Sequence, residues 1–96
     1  MKLNGHNKKK MAYQITLRKQ AVKALEKINE PYYSFIKQAI YSLAENSRPH
    51  DCKKLKGRDG YRIRVANYRI LYDIFDDIFL VDIVDIGHRK EIYKKN

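Results

Sequence analysis

Residues 60–74 of the chain read GYRIRVANYRILYDI, and this stretch predicts a β-hairpin. Its side chains alternate on both sides of Ala66-Asn67, which is the period of two expected of strands joined by a tight turn. If Ala66-Asn67 form a two-residue turn, directly opposed residues share a face. One face then carries Tyr61, Ile63, Val65, Tyr68, Ile70 and Tyr72, and the other carries Arg62, Arg64 and Arg69.

The arginine face is the first functional signal in the sequence. Like charges opposed across a strand pair are destabilising, so stability alone gives little reason to place Arg62, Arg64 and Arg69 together. Three guanidinium groups on one face therefore suggest a surface that binds phosphate. The alternative is an ordinary solvated strand face, because arginine side chains cover apolar surface well.

Composition narrows the class of protein. The chain has 96 residues, a formal net charge of +10 and 44% hydrophobic residues, which predicts one folded, strongly basic domain. Basic domains of this size usually bind nucleic acid or an acidic protein. Cys52 is the single cysteine, and with three scattered histidines it forms no metal-ligand pattern, so we expect no metal, no cofactor and no internal disulfide. The sequence shows no signal peptide or membrane span, which predicts a cytoplasmic protein that makes no contact with membranes.

The remaining elements follow from hydrophobic periodicity. Residues 1–11 predict a basic, disordered arm or an extension ahead of a native start at Met11, and residues 12–96 predict the domain itself. Residues 12–17 predict a first strand, and residues 18–28 and 31–44 predict two helices joined by a link of two to three residues. The second helix is expected to face the core with an apolar stripe that includes its aromatic residues: Tyr32, Phe35, Ile36, Ala39, Ile40 and Leu43.

Residues 45–59 predict a loop, and residues 78–86 predict a last strand after a turn at Asp76-Asp77. The loop carries cations that can follow a phosphate backbone, or that are simply solvated: Arg48, Lys53, Lys54, Lys56 and Arg58. A two-residue turn before the last strand would place on the arginine face Leu80, Asp82, Val84 and Ile86, with His88 emerging from the same side. Asp82 would then orient an arginine or sit as a satisfied polar group at a strand edge.

The stretch YRIRVANYRILYDI, followed by IGHRKEIY near the C-terminus, resembles the RelE-like branch of the RelE/ParE toxin superfamily. Members of that branch typically read YRIRVGDYRI(I/L)Y and then GHR-x-x-(V/I)Y, and the resemblance extends from about Ala12 to Tyr93. It implies an α+β fold in which a helical hairpin packs on a twisted, mainly antiparallel sheet, in the order β-α-α-β-β-β with a short C-terminal tail. It also implies a toxin of a type II toxin-antitoxin system that cleaves mRNA on the ribosome without metal and is neutralised by a RelB-like antitoxin with an acidic segment.

The resemblance also implies site residues. The family's active-site cations fall on Arg62, Arg64, Arg69 and Arg89, its near-terminal tyrosine on Tyr93, and the histidine of many GHR-type relatives on His88. The best-known member has lysines where this chain has Arg62 and Arg64. Because arginine does not lose its proton near neutral pH, Arg62 is a poor general base. His88 is the candidate general acid, because an unperturbed imidazole titrates near neutrality. The predicted RNA-binding residues are Lys53, Lys54, Lys56 and Arg58.

Two other functions remain open on the sequence. A ParE-like toxin would keep the fold and act on DNA gyrase without cutting RNA. A basic ribosome-associated or RNA-binding domain would use the same cations without catalysis. The ParE-like branch generally lacks the set Arg62, Arg64, Arg69, His88, Arg89 and Tyr93, which argues against the first alternative. Cleavage of ribosome-bound message at discrete positions would separate the nuclease from both.

Overall fold

The computed structural model describes residues 12–88, which fold into a five-stranded sheet with two helices on one face. The elements are β1 (Gln14–Leu17), α1 (Lys19–Glu26), α2 (Tyr32–Ser42), β2 (Lys53–Lys54), β3 (Tyr61–Val65), β4 (Tyr68–Phe75) and β5 (Leu80–His88). The predicted α+β architecture and order of elements are confirmed, with β2 as a short addition inside the predicted loop. The predicted arm and most of the tail lie outside the described residues. No helix in the described part of the chain is long and apolar enough to span a membrane.

The strand order is β1-β5-β4-β3-β2, and every neighbouring pair is antiparallel except β1 and β5, which run parallel. The predicted hairpin register is confirmed at each position from Tyr61 opposite Tyr72 to Val65 opposite Tyr68. Ala66 begins the turn with a φ of 55°, in the left-handed region that costs a residue with a β-carbon about 1 kcal/mol. The alternating pattern outside the turn therefore fixes the register even though the turn residue is not glycine.

The core lies between the helices and one face of the sheet. Ile36 and Ile40 of α2, and Leu43 directly after it, are buried there as predicted, and they meet the inward side chains of β3, β4 and β5. Tyr32 and Phe35 were also predicted to be core residues, and this is wrong, because they are 42% and 50% exposed. The link between the helices spans residues 27–31, longer than predicted, and both aromatic residues lie in the first helical turns after it.

The last strand differs from the prediction because of a bulge. β4 and β5 are connected by a 3-10 turn at Asp76–Ile78, and the register shifts between Leu71 and Tyr72. An extra residue in one strand changes which residues face each side beyond it. Asp82 lies opposite Asp73 on the arginine face as expected, but Ile86 and His88 lie opposite Ile70 and Tyr68 on the helix face. The predicted orientation of Ile86 and His88 was therefore wrong.

The segment between α2 and β3 is held against the sheet by side-chain hydrogen bonds. The Tyr72 hydroxyl donates to the Ser47 carbonyl at 2.9 Å, and Arg48 Nη2 donates to Asp76 Oδ2 at 2.8 Å. Gly60 ends the segment with a φ of 123°, and a β-carbon there would lie 2.9 Å from Asp73 Oδ1. Glycine is therefore required where the chain enters β3.

Candidate RNA-binding and catalytic surface

The face of the sheet opposite the helices carries the predicted arginines, and we call it the arginine face. Arg64 lies opposite Arg69, and Arg62 lies opposite Leu71. The three differ in exposure: Arg64 is exposed, Arg62 is half-buried and Arg69 is only 7% exposed. The arginine face therefore presents two accessible guanidinium groups beside a third that is fixed deep in the sheet.

Around Arg69 the arginine face is largely desolvated. Leu71 and Val84 form a small buried cluster on this side, with Leu55 packed against it. Asp85 lies opposite Leu71 and is 4% exposed, and its Oδ1 accepts a hydrogen bond from the Ile86 backbone N–H at 2.9 Å. Because apolar surroundings reduce dielectric screening, a charge held here interacts more strongly with a bound phosphate than a fully solvated one.

The lysines of β2 are divided between the two faces of the sheet. Lys53 is the register partner of Arg62, so it shares the arginine face. Lys54 is the partner of Tyr61, and its ammonium nitrogen lies 5.2 Å from the centre of the Tyr61 ring. Alternation along the strand thus separates two neighbouring lysines that the sequence had placed in one phosphate-binding group.

A groove of about 580 Å³ runs between the β2–β3 segment and the arginine face. It contains all four of the residues predicted to bind RNA, together with one of the predicted catalytic arginines and two leucines. The lining residues are Lys53, Lys54, Leu55, Lys56, Gly57, Arg58, Arg62 and Leu71. The structure therefore brings the predicted RNA-binding residues next to the arginines.

At the other end of the arginine face the charges are already paired. Arg18 Nε donates to Asp82 Oδ2 at 2.8 Å, and its Nη2 donates to Asp73 Oδ2 at 3.1 Å. Thr16 donates to the second oxygen of Asp82 at 2.8 Å. Asp82 does orient an arginine, which was one of its two predicted roles, but Arg18 was not foreseen because the partners are 64 residues apart.

Arg48 does not belong with the cations available to RNA. It forms an ion pair with Asp76 and stacks over Tyr61, with its Cζ 5.3 Å from the ring centre. The hydrogen bonds from Arg48 and from the Tyr13 hydroxyl lower the pKa of Asp76 to about 2. This cluster fastens the loop to the β4–β5 turn, so its role is structural.

Of the remaining predicted site residues, the structure describes His88, and it is not gathered with the arginines. The His88 ring packs edge-on against Tyr68, 5.6 Å between centres, on the helix face. Arg89 and Tyr93 lie outside the described residues. Within residues 12–88, no group of three or more histidine, cysteine, aspartate and glutamate side chains is arranged to hold a metal ion.

Comparison with known proteins identifies the family. Residues 15–93 match the family described as "ParE toxin of type II toxin-antitoxin system, parDE". A putative toxin RelE1 from Methanocaldococcus jannaschii is 30% identical over 88 residues, covering 88% of this chain and 98% of that protein. The chain is a RelE-like toxin of the RelE/ParE superfamily.

Solved structures of RelE toxins share the fold of this RelE-like toxin. The archaeal RelE-RelB complex from Pyrococcus horikoshii OT3 superposes with a TM-score of 0.74 at 28% identity, covering 82% of this chain and 97% of that one. The isolated Escherichia coli RelE toxin gives a TM-score of 0.71 at 26% identity, covering 88% and 94% of the two chains. The helical hairpin on a mainly antiparallel sheet is therefore the RelE fold.

Proposed function

We propose that this RelE-like toxin is a ribosome-dependent endoribonuclease that cleaves mRNA and so inhibits translation. The observation that carries the proposal is the arginine face, where Arg62, Arg64 and Arg69 adjoin a groove lined by further cations. Such a surface suits a phosphodiester backbone, because guanidinium groups donate paired hydrogen bonds to phosphate oxygens. The strength of the similarity to proteins named RelE adds to this reading.

The proposed reaction is transfer of the phosphoryl group to the neighbouring ribose hydroxyl. The 2′-oxygen loses its proton to a base and forms a new bond to phosphorus, while the bond from phosphorus to the 5′-oxygen breaks. The leaving 5′-oxygen gains a proton, so the products are a 2′,3′-cyclic phosphate and a free 5′-hydroxyl. The reaction therefore requires cations beside the phosphorane, a base at the 2′-oxygen and an acid at the 5′-oxygen.

The arginines take the electrostatic part of this mechanism. Arg62 and Arg64 are accessible enough to contact the scissile phosphate, and Arg69 supplies a positive charge that is fixed before substrate arrives. Preorganised charge stabilises a transition state without the cost of reorienting solvent. By family resemblance, Arg89 joins them at the phosphate and Tyr93 stacks on a base or contacts the 2′-hydroxyl.

His88 is retained in the proposal as the general acid, on chemical grounds rather than on position. Its ring lies on the helix face beside Tyr68, away from the arginine face. Because His88 is the final residue of β5, it lies at an end of the sheet. The rate of cleavage by a folded His88 variant, compared with that of the parent, tests whether His88 is the acid.

The proposed cellular partners are the ribosome, its bound mRNA and a RelB-like antitoxin with an acidic segment. The Pyrococcus horikoshii relative was solved as a RelE-RelB complex. A net charge of +10 favours association with an acidic partner, which should weaken as salt rises. The cytoplasm is the corresponding site of action.

The test is cleavage of a defined message on purified ribosomes. Toxin is added to ribosomes carrying the message in the A site, and the RNA ends are mapped and treated to distinguish a 2′,3′-cyclic phosphate from a 3′-hydroxyl. We expect discrete cuts ending in the cyclic phosphate, with the same RNA left intact when it is free of ribosomes. A gyrase supercoiling assay is run in parallel, because the matched family is described by ParE. Inhibition of gyrase without RNA cleavage would replace the proposal with the ParE-like function.

A further inference from the structure

We propose that the groove beside the arginine face is a subsite for one unpaired nucleotide of the RNA strand. Its base would lie on Leu55 and Leu71, and its phosphate would be held by cations at the rim. This inference rests on the proposed function and adds a specific binding position next to the scissile phosphate. It gives a role to the two leucines of the groove, which phosphate binding by the cations does not explain.

The floor of the groove is apolar and firmly held. Leu71 is 2% exposed within β4, and Leu55 packs against it and against Val84. The Leu55 backbone N–H also donates to the Gly60 carbonyl at 2.9 Å, which closes the β2–β3 segment over this position. A volume of about 580 Å³ falls in the range of about 300–1,000 Å³ typical of clefts for small ligands.

The rim of the groove is cationic. The side chains that line it include Lys53, Lys54, Lys56, Arg58 and Arg62, and no acidic residue is among the lining residues. The Lys54 ammonium lies over the Tyr61 ring, 5.2 Å from its centre, so it is not counted among the cations that would hold the phosphate. The ion pairs formed within residues 12–88 involve Arg18 and Arg48, so they neutralise none of the rim cations. An apolar floor below an unneutralised cationic rim favours a ligand with a flat apolar part and a negative charge, which describes a nucleotide.

Continuity with the arginine face favours RNA over a protein segment as the occupant. Arg62 belongs both to the groove lining and to the arginine cluster, where it stands two residues from Arg64 on the same strand. If one phosphate of an RNA strand binds the arginines, the neighbouring nucleotide of that RNA would therefore lie at the groove. An acidic protein segment would satisfy the charge as well, and the experiment separates the two.

The experiment measures binding of a single-stranded RNA of about six nucleotides, made resistant to cleavage by 2′-deoxy substitution, in the size range of single-strand binding sites. Each base is removed in turn to leave an abasic position. We expect one position at which base loss weakens binding by about fivefold, a modest value because the floor is aliphatic rather than aromatic.

The Leu55→Ser variant should remove that penalty, and the double variant Lys56→Ala/Arg58→Ala should weaken the binding of every RNA equally. The charge-matched control is the double variant Lys23→Ala/Lys27→Ala, which removes one lysine of α1 and one of the link after it. It should bind RNA as the parent does.

A second measurement does not depend on a variant that folds. In methyl NMR spectra of the parental protein, the RNA should shift the Leu55 and Leu71 resonances and leave Val22 on α1 unchanged. The proposal is overturned if no abasic position stands out and these methyl groups do not respond, or if only an acidic antitoxin peptide shifts them. Ribosomal cleavage is scored separately: cleavage with an unresponsive groove refutes the subsite alone, and a responsive groove without cleavage refutes the proposed function alone.

Discussion

Replacing Lys53 with alanine should weaken RNA binding, whereas replacing the adjacent Lys54 should leave it nearly unchanged. Lys53 shares the arginine face with Arg62, while the Lys54 ammonium is placed over the Tyr61 ring at 5.2 Å. The two variants remove the same charge from neighbouring residues, so net charge cannot account for any difference between them. The comparison therefore tests whether RNA follows the arginine face.

The expected size follows from release of counterions. Removing one lysine–phosphate interaction reduces the slope of log K against log salt by about 0.7 for single strands and about 0.9 for duplexes. If Lys53 binds one phosphate, the affinity ratio between parent and Lys53→Ala should shrink about threefold between ~50 and ~200 mM salt. Lys54→Ala should keep the parental slope and lower the melting temperature by a few degrees, because an exposed cation–π interaction contributes about 0.5–1 kcal/mol.

Fluorescence anisotropy of labelled RNA, or ribosome pelleting across the same salt series, gives both slopes directly. An equal fall of the slope in the two variants would show that both lysines bind RNA alike, although they face opposite sides of the sheet, and RNA would then not follow the arginine face. A fall in Lys54→Ala alone would contradict the prediction as well. Melting curves on both variants confirm that each compared protein is folded.

Three further predictions concern stability and proton transfer. Hydrogen bonds from Arg48 and Tyr13 lower the pKa of Asp76 to about 2 in the folded protein, against about 3.9 in the unfolded chain. The stability that Asp76 contributes is therefore present above pH ~3.9 and is lost as the pH falls through ~2. In acid unfolding, Asp76→Asn should lose less stability than the parent over that pH range. Ala66→Gly should stabilise the protein by about 1 kcal/mol, or ~4–8 °C in melting temperature, because the left-handed φ of 55° then carries no β-carbon penalty; an unchanged or lower melting temperature would contradict this. His88→Gln should slow ribosomal cleavage, because the leaving 5′-oxygen then lacks its proton donor, and a parental cleavage rate in the folded variant would exclude His88 as the acid.

The hairpin could be predicted residue by residue because its information is local. Alternation on both sides of Ala66-Asn67 fixes which side chains share a face, and the pairing of Arg64 with Arg69 follows directly. The arginine face was accessible to sequence analysis for the same reason. The lysines of the loop before the hairpin could be expected near the arginine face from composition. The separation of Lys54 onto the other face depends on the pairing of β2 with β3, and a strand of two residues is too short to show in the sequence.

Features that depend on distant parts of the chain could not be predicted in the same way. The bulge between Leu71 and Tyr72 places His88 on the helix face, and a bulge leaves no clear mark in an apolar run such as β5. The Arg18–Asp82 ion pair joins residues at the two ends of the domain. Periodicity on α2 marked Phe35 as apolar but could not show that its side chain would be half exposed.

The most direct test of the account is the effect of Arg69 on the chemical step. Single-turnover cleavage is measured on saturating programmed ribosomes for the parent, Arg69→Ala and Arg69→Lys, with ribosome affinity measured separately. Arg69→Ala should lower the cleavage rate about a hundredfold or more with little change in affinity, and Arg69→Lys should recover only part of the rate, because an ammonium lacks the planar fork of a guanidinium. Since Arg69 is 7% exposed, exposed Arg64→Ala provides a second variant whose fold is not at risk, and it should also slow cleavage. Parental cleavage rates in folded Arg69→Ala and Arg64→Ala would contradict the claim that the arginine face is the catalytic surface.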